Sequence, residues 1–440
     1  ASRVKKDAVR PLLEYGKEYE TLSSLLEVRE SAFLEADFII ESDTDGEQAV
    51  ARSISKIVSG IMTSFRLCIP GASEHCVFVG NALTGALAAK IARMSRTRRS
   101  VIITDQNVAS TCLNALIQQL QHHGISSQNI IVSPGESSKS IEVYSSVVKT
   151  LAELGVDRDT CIVGLGGGVV GDLAGFASAT MLRGLPFIQV PTSLLSMVDS
   201  SVGGKTGVNL VESKNLLGAF YSPGAVFVDI DYLSTLPVRE LQNGYAEIVK
   251  SGLLAGGDFW TWMTEHIGKS ILQEPEILKK AILFSLQYKT NVVVNDPFER
   301  DRHGGRMLLN LGHTFAHAIE AETHYDGSVL HGEAVSVGLM LALQVSLQTG
   351  VCSQPGLLVD VENLLKKENL PTSLRELPLR TSSHALIGRF KNDKKKSGDA
   401  VRFVLMRRPG HAVVIDEVSQ KILRSVIELD LADPLSNSER

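Results

Sequence analysis

The residue types that could do chemistry cluster in residues 309–333, LNLGHTFAHAIEAETHYDGSVLHGE. His313 and His317 are four apart and share one face of a helix. His331 follows a turn-like stretch, Tyr325-Asp326-Gly327-Ser328. Three imidazoles brought to one point would hold a metal, run an acid–base relay, or both. A helix with solvent-facing histidines would show the same spacing. Glu247, in GYAEIVK, lies on an apolar helix with Lys250 three residues on. A surface i,i+3 ion pair is its plain reading. Joined to His313 and His331, it would give a two-histidine, one-carboxylate zinc site with room for a substrate.

A second chemical feature lies upstream. Residues 160–175, TCIVGLGGGVVGDLAG, read as a strand, a glycine turn and a helix start. Such a turn lets backbone approach a pyrophosphate, and the helix start supplies N–H groups. Gly166, Gly167 and Gly168 form the bend, and Asp172 sits in the first turn. A tight packing turn stays open as the other reading of these glycines. Asp105, at a strand end, could bind a ribose hydroxyl or cap the next helix. Glu136 and Lys139 form a second charged loop on the same sheet edge. Lys205, Asn209, Lys214 and Asn215 stand in glycine-interrupted loops of residues 199–215, suited to an anion or simply solvated. Arg183 is a further candidate anion ligand. The run at 393–396, DKKK, reads as a solvated charge run.

The elements that must position these groups alternate. Short β-branched runs at 76–79, 101–104, 129–132, 161–164, 187–190 and 225–229 are each followed by helical or turn segments, implying βαβ units and a mostly parallel sheet. From about residue 240 helical patterns dominate, as at 272–294 and 331–349, with a short β-like piece at 401–406. The first 60 residues read as helix (15–34), strand (36–40) and helix (47–61). A lone strand with two helices makes no stable sheet by itself.

Composition sets outer bounds. The 440 residues suffice for two or three domains, and 44% apolar content supports a core. A net charge of −5 gives no electrostatic case for nucleic acid or an anionic membrane, so any anion site must be local. The five cysteines are scattered with no CxxC pair, which argues for reduced thiols, a cytoplasmic setting and no thiolate zinc site. No apolar run reaches the ~18 residues of a membrane span. No signal peptide is visible. The chain opens at Ala1 in mid-pattern, which reads as a fragment or a processed product.

Taken in order, GGGVVGDLAGF, VPTSLLSMVDSSVGGKTGVN, KNLLGAFY, LSTLP, AEIVK, LNLGHTF and LHGEAV resemble 3-dehydroquinate synthase over roughly residues 75–430. The resemblance implies an NAD-binding, mostly parallel α/β domain followed by an α-helical metal-binding domain, with the active site between them. It implies NAD, one divalent metal (zinc, with cobalt the alternative), a cytoplasmic homodimer, and the shikimate-pathway conversion of DAHP to 3-dehydroquinate and phosphate. By motif, Glu247, His313 and His331 resemble the metal ligands. Asp199, Lys205, Lys250, Asn310 and His317 resemble the catalytic set. Arg183, Lys214, Asn215, Lys289, Arg306 and Lys394 or Lys395 resemble substrate-anion contacts. Asp105, Asn107, Glu136, Lys139, Gly167, Gly168, Val169, Asp172, Thr192, Ser193 and Thr235 resemble NAD contacts. Ser193 stands where threonine is usual, and residues 294–306 look about three residues longer than usual. The implied division is 76–238 for the NAD domain and 239–432 for the helical domain, with a linker at 63–75 and a tail at 433–440.

Residues 1–62 resemble the C-terminal part of shikimate kinase, with Arg29 at a shikimate-type position. The GxxxxGK[ST] phosphate loop is nowhere in the chain, so kinase activity is not expected from it. A kinase–synthase fusion, or a remnant of one, would account for the segment. The rivals for the main activity are another sugar phosphate cyclase, against which Asn310 and His317 argue, and a metal-dependent alcohol dehydrogenase of the same architecture.

Overall fold

The computed structural model describes residues 61–67, 75–210, 213–266, 270–301, 303–397 and 401–432. The helix–strand–helix unit expected over the first 60 residues, Arg29 included, lies outside them, as does the tail.

The described residues open with β1 (Ile61–Leu67) and β2 (His75–Gly80), then α1 (Thr84–Met94) and β3 (Arg99–Asp105). The helical turns Gln106–Val108 and Ala109–Leu113 lead into α2 (Asn114–His122), and β4 (Ser126–Val132) follows. Next come α3 (Ile141–Glu153), β5 (Cys161–Gly166), α4 (Gly168–Thr180) and β6 (Phe187–Pro191). Then come β7 (Lys205–Leu210), β8 (Ser213–Phe220) and β9 (Ala225–Asp229). The helical half holds α5 (Val238–Ala255), α6 (Gly257–Glu265), α7 (Pro275–Asn295), α8 (His313–Glu322) and α9 (His331–Gln348). It closes with α10 (Gly356–Lys367), α11 (Ser383–Ser397), β10 (Phe403–Arg408), β11 (His411–Ile415) and α12 (Gln420–Leu431).

The main sheet has the order β1-β2-β9-β6-β5-β3-β4 and is parallel except for the β1–β2 pair. All residues of β5, β6 and β9 are buried, the continuous apolar pattern of strands covered on both faces. Leu87, Leu116 and Leu120 from α1 and α2 pack one face with Phe78 and Phe227. Val147, Leu151, Leu173 and Ala174 from α3 and α4 pack the other with Ile103 and Phe187. Val77, Val79, Val226 and Val228 turn instead to the helical half and join its core through Leu194 and Met197. The chain runs outward from β3 to β4, then returns to place β5 on the far side of β3. That reversal is where open α/β sheets form a ligand crevice, at the carboxyl ends of the strands.

Three local features differ from the sequence reading. The segment taken as the end of the N-terminal unit and a linker contains β1, paired with β2 from Ile61↔Gly80 to Leu67↔His75. Its alternation of Ile61, Thr63, Phe65 and Leu67 is a strand pattern. The loops expected around residues 205–215 are instead the antiparallel hairpin β7–β8, with Lys205 opposite Phe220. The β-like piece expected at 401–406 is one strand of a second hairpin, β10–β11. Among the described residues, no helix is long and apolar enough to cross a membrane.

Candidate active site

Three helices meet where the ligand-type residues converge. Glu247 lies in the middle of α5, His313 opens α8 and His331 opens α9. Contacts at the helix starts fix this arrangement. Asn243 Oδ1 accepts the Gly332 N–H, and a Cβ at residue 332 would overlap the Asn243 carbonyl. Arg239 donates to both oxygens of Glu333 at 2.7 and 2.8 Å, and Glu333 also accepts the Leu330 N–H at 2.8 Å. The start of α9 is thereby tied to α5, the helix that carries Glu247. Gly312 has a φ of 77°, and a Cβ there would lie 2.9 Å from the Leu339 nitrogen. Only glycine lets α8 begin this close to α9.

One ligand-type atom each from Glu247, His313 and His331 lies within 4.8 Å of the others. Glu247 Oε1 is 3.4 Å from His313 Nε2 and 3.5 Å from His331 Nε2. Both rings turn their other nitrogen away: His313 Nδ1 lies 3.1 Å from the Leu311 carbonyl, and His331 Nδ1 lies 3.4 Å from Glu320 Oε1. Glu247 is 1% exposed, and neither of its oxygens has a well-formed hydrogen bond. A buried carboxylate with unfilled acceptor capacity beside two Nε2 atoms fits a divalent cation. The surface ion pair considered for Glu247 and Lys250 is instead a buried one, Lys250 being 2% exposed.

Burial works against charge throughout this cluster, and neighbouring charges decide the outcome. Burial would raise the Glu247 pKa, but Lys250, His331 and His313 together outweigh it and bring it down to about 2. Burial, helped by Lys250, pushes His313 down to about 3. Burial also opposes charge on His331, yet Glu247 and Glu320 raise it to about 10. Asp199 is buried enough to resist ionisation, but Lys289 and Lys250 hold it well below the ordinary carboxylate range. Lys289 Nζ donates to Asp199 Oδ1 at 2.7 Å and also to the Asp199 carbonyl. Burial lowers Lys289 despite that partner.

Segment Ser196–Ser200, which carries Asp199, also reaches the glycine turn. A Cβ on Gly168 would lie 2.9 Å from Ser200 Oγ, a buried hydroxyl without a hydrogen-bond partner. Gly167 caps α4, so the first N–H groups of that helix point out at the end of β5. Thr192 N donates to the Gly166 carbonyl at 3.0 Å, joining the ends of β5 and β6. Glycine backbone, outward N–H groups and an orphaned hydroxyl at the sheet's reversal fit a pyrophosphate. Around it, Lys139 donates to Asp172 and to Asn215, and Asn209 donates to Glu136 at 2.8 Å. Burial raises the Asp172 pKa against the pull of Lys139. Asp105 Oδ1 accepts from Asn107 N and Val108 N at 2.8 and 3.1 Å, which is the helix-cap reading of that residue. Asn107 is exposed and Val169 half-buried. Ser193 Oγ bonds Ser196 Oγ, and Thr235 Oγ1 donates to the Tyr232 carbonyl.

The anion-ligand candidates are more scattered. Lys205, half-exposed on β7, pairs with Glu299. Asn310 Nδ2 reaches the other oxygen of Glu299 at 3.5 Å. Buried Arg306 donates to the carbonyls of Gly203 and Pro297, each at 3.0 Å, and burial lowers its pKa. His317 is exposed, its ring centroid 5.5 Å from that of His313. Arg183 is exposed with a φ of 67°. Lys214 lies on β8, and Lys394 and Lys395 lie on α11, with side chains outside the description. Sequence reasoning missed Glu299, Glu320 and Asn243. Only Glu320 carried a local signal, standing seven residues after His313 on the same helical face.

The family model described as 3-dehydroquinate synthase N-terminal matches residues 129–243, and the one described as 3-dehydroquinate synthase C-terminal matches 244–396. A 3-dehydroquinate synthase of Cereibacter sphaeroides is 41% identical over 82% of this chain and 97% of its own length. The chain belongs to the 3-dehydroquinate synthase family, and it is a carbon–oxygen lyase. Among solved structures, a 2-deoxy-scyllo-inosose synthase complexed with carbaglucose-6-phosphate, NAD+ and Co2+ has a TM-score of 0.74 at 25% identity, covering 84% of this chain and all of its own. The 2-epi-5-epi-valiolone synthase of Streptomyces hygroscopicus subsp. jinggangensis 5008, with NAD+ and Zn2+ bound, has a TM-score of 0.73 at 25% identity, covering 83% of this chain and 99% of its own. The expected parallel α/β sheet with a helical second half is thus the fold of this family of sugar phosphate cyclases.

Proposed function

We propose that the chain converts DAHP to 3-dehydroquinate and phosphate, using NAD and one divalent cation. The observation that carries this reading is the meeting of Glu247, His313 and His331 beside Asp199, Lys250 and Lys289, in a chain 41% identical to a curated synthase. When bound, the cation lowers the pKa of a substrate alcohol, and the nicotinamide takes a hydride from that carbon and later returns it. Glu247, His313 and His331 would hold the cation, with zinc our choice and cobalt the alternative. Gly167, Gly168, Val169 and the α4 start would hold the pyrophosphate, with Asp105, Asn107, Glu136, Lys139, Asp172, Thr192, Ser193 and Thr235 around the rest of the dinucleotide.

Lys250 and Asp199 orient the reacting alcohol, and of the two only the Asp199 carboxylate can accept its proton, since Glu247 holds Lys250 charged. Once the carbon is a ketone, the neighbouring C–H is acidic and phosphate leaves by elimination. The departing phosphate can itself accept that proton, so a strong protein base is not required. Asn310, His317 and Lys205 position the substrate for ring opening and aldol closure. Arg183, Lys214, Asn215, Lys289, Arg306 and Lys394 or Lys395 hold its phosphate and carboxylate in register. Our reading includes an NAD-binding unit ending near residue 238, a helical metal and substrate unit over 239–432, a homodimer and a cytoplasmic setting. Residues 1–62 are read as a shikimate kinase remnant or fusion part without phosphoryl transfer, since the chain has no phosphate loop.

The test is product analysis after incubation with DAHP, NAD and zinc. The reading expects 3-dehydroquinate and phosphate in equal amounts. Phosphate release without 3-dehydroquinate, or oxidation without phosphate release, would overturn it.

A further inference from the structure

Glu320 is the acid that this chain sets behind its second histidine. Helix α8 carries His313, His317 and Glu320 at i, i+4 and i+7, one face of the helix. His313 looks across to Glu247, and Glu320 reaches the neighbouring helix instead, where its Oε1 lies 3.4 Å from His331 Nδ1. The residue is 6% exposed. Burying a carboxylate costs free energy unless a charge or donor offsets it. The partner here is the ring nitrogen that faces away from Glu247.

The two histidines are therefore oriented by different acceptors. The Leu311 carbonyl, a neutral acceptor from the same loop, faces His313 Nδ1 at 3.1 Å. A buried carboxylate faces His331 Nδ1. With a proton kept on each Nδ1, loss of the Nε2 proton from His331 would leave both rings an Nε2 lone pair on the Glu247 side, the form a cation requires. A carboxylate behind a metal-binding imidazole fixes the tautomer and makes the ring a stronger donor than a carbonyl does.

Resting on the cation-site reading above, we propose that Glu320 is a positioning residue for the metal, acting through His331. It touches neither substrate nor cofactor. Removing it leaves the three ligands in place but lets the His331 ring turn and weakens its donation.

The experiment compares the full-length wild-type chain with Glu320→Ala and Glu320→Gln. Zinc affinity is measured by chelator competition, cobalt spectra by visible absorption, and NAD affinity and thermal unfolding on the metal-free proteins. Glu320→Ala should weaken zinc ten- to a hundredfold, the usual effect of losing such a partner. Glu320→Gln, which keeps an acceptor but no charge, should fall between it and wild type. The cobalt bands should shift in Glu320→Ala, with NAD affinity unchanged. Zinc affinity within twofold of wild type in both variants would overturn the proposal, as would losses that merely follow a collapse of metal-free stability. A wild-type chain that binds no divalent cation would instead overturn the underlying site reading.

Discussion

The cation cluster and the anion-ligand face of this site are built in opposite ways. The cluster is buried and drawn from three helices, the starts of α8 and α9 being locked by Asn243, Glu333, Gly312 and Gly332. On the anion face the cationic groups are exposed or bonded to the protein's own oxygens: Lys205 to Glu299, Lys289 to Asp199, and Arg306 to two carbonyls. A cation entering the carboxylate and two imidazoles must displace the His331 proton and compete with Lys250, but the ligand side chains themselves already converge. A phosphate and a carboxylate must compete with oxygens already in place. Preorganisation sits on the metal side, and the anion side is where substrate binding has to displace existing bonds.

The largest expected effect lies within the cluster. His331→Ala should abolish stoichiometric metal binding and turnover, whereas His317→Ala should keep the metal and lose rate. Metal analysis of both purified variants decides it, and retention in His331→Ala with loss in His317→Ala would exchange their roles. On the anion face, Arg306→Ala should weaken a phosphonate substrate analogue by about 1.5–3 kcal/mol, the range for hydrogen bonds to charged groups. Lys205→Ala should cost less, because its partly exposed ammonium is screened. Calorimetric titration measures both, and unchanged affinity in both would mean that these side chains are only solvated.

Gly332→Ala sharpens the contrast from the packing side. Its new Cβ must displace the Asn243 carbonyl, so stability should fall by about 1–3 kcal/mol, with metal affinity falling too. Denaturant melts read the first and chelator competition the second. Asp199→Asn gives the smallest stability effect, a loss present at neutral pH that disappears in acid. The folded pKa of Asp199 is held below its unfolded value, so its stabilisation exists above the unfolded pKa and is lost as pH falls through the folded one. Wild-type stability should therefore decline more steeply than that of the variant below about pH 4. Parallel slopes would remove Asp199 from the charge network.

Much of the sheet was legible because its strands are continuous β-branched runs such as Ala225–Asp229, with few competing patterns. The cluster ligands were legible because each sits in a dense local motif. The β7–β8 hairpin was not. Its strands carry Lys205, Asn209 and Asn215 on a partly exposed surface, the Gly203-Gly204 pair reads as a loop, and no Asn-Gly or Asp-Gly marks the turn. Glu299 could not be found either, since it meets Lys205 across 94 residues of sequence. Contacts of that kind are set by tertiary packing and leave no periodic trace in the chain.

The most direct test of the central claim is the number of phosphates released from DAHP per NAD, with NAD supplied well below one equivalent of substrate and zinc present. The site as built should release many phosphates for each NAD, with no net NADH accumulating at 340 nm, because the hydride returns to the same carbon skeleton. One NADH accumulating for each substrate consumed, and a halt when NAD runs out, would contradict the account and make the chain a dehydrogenase.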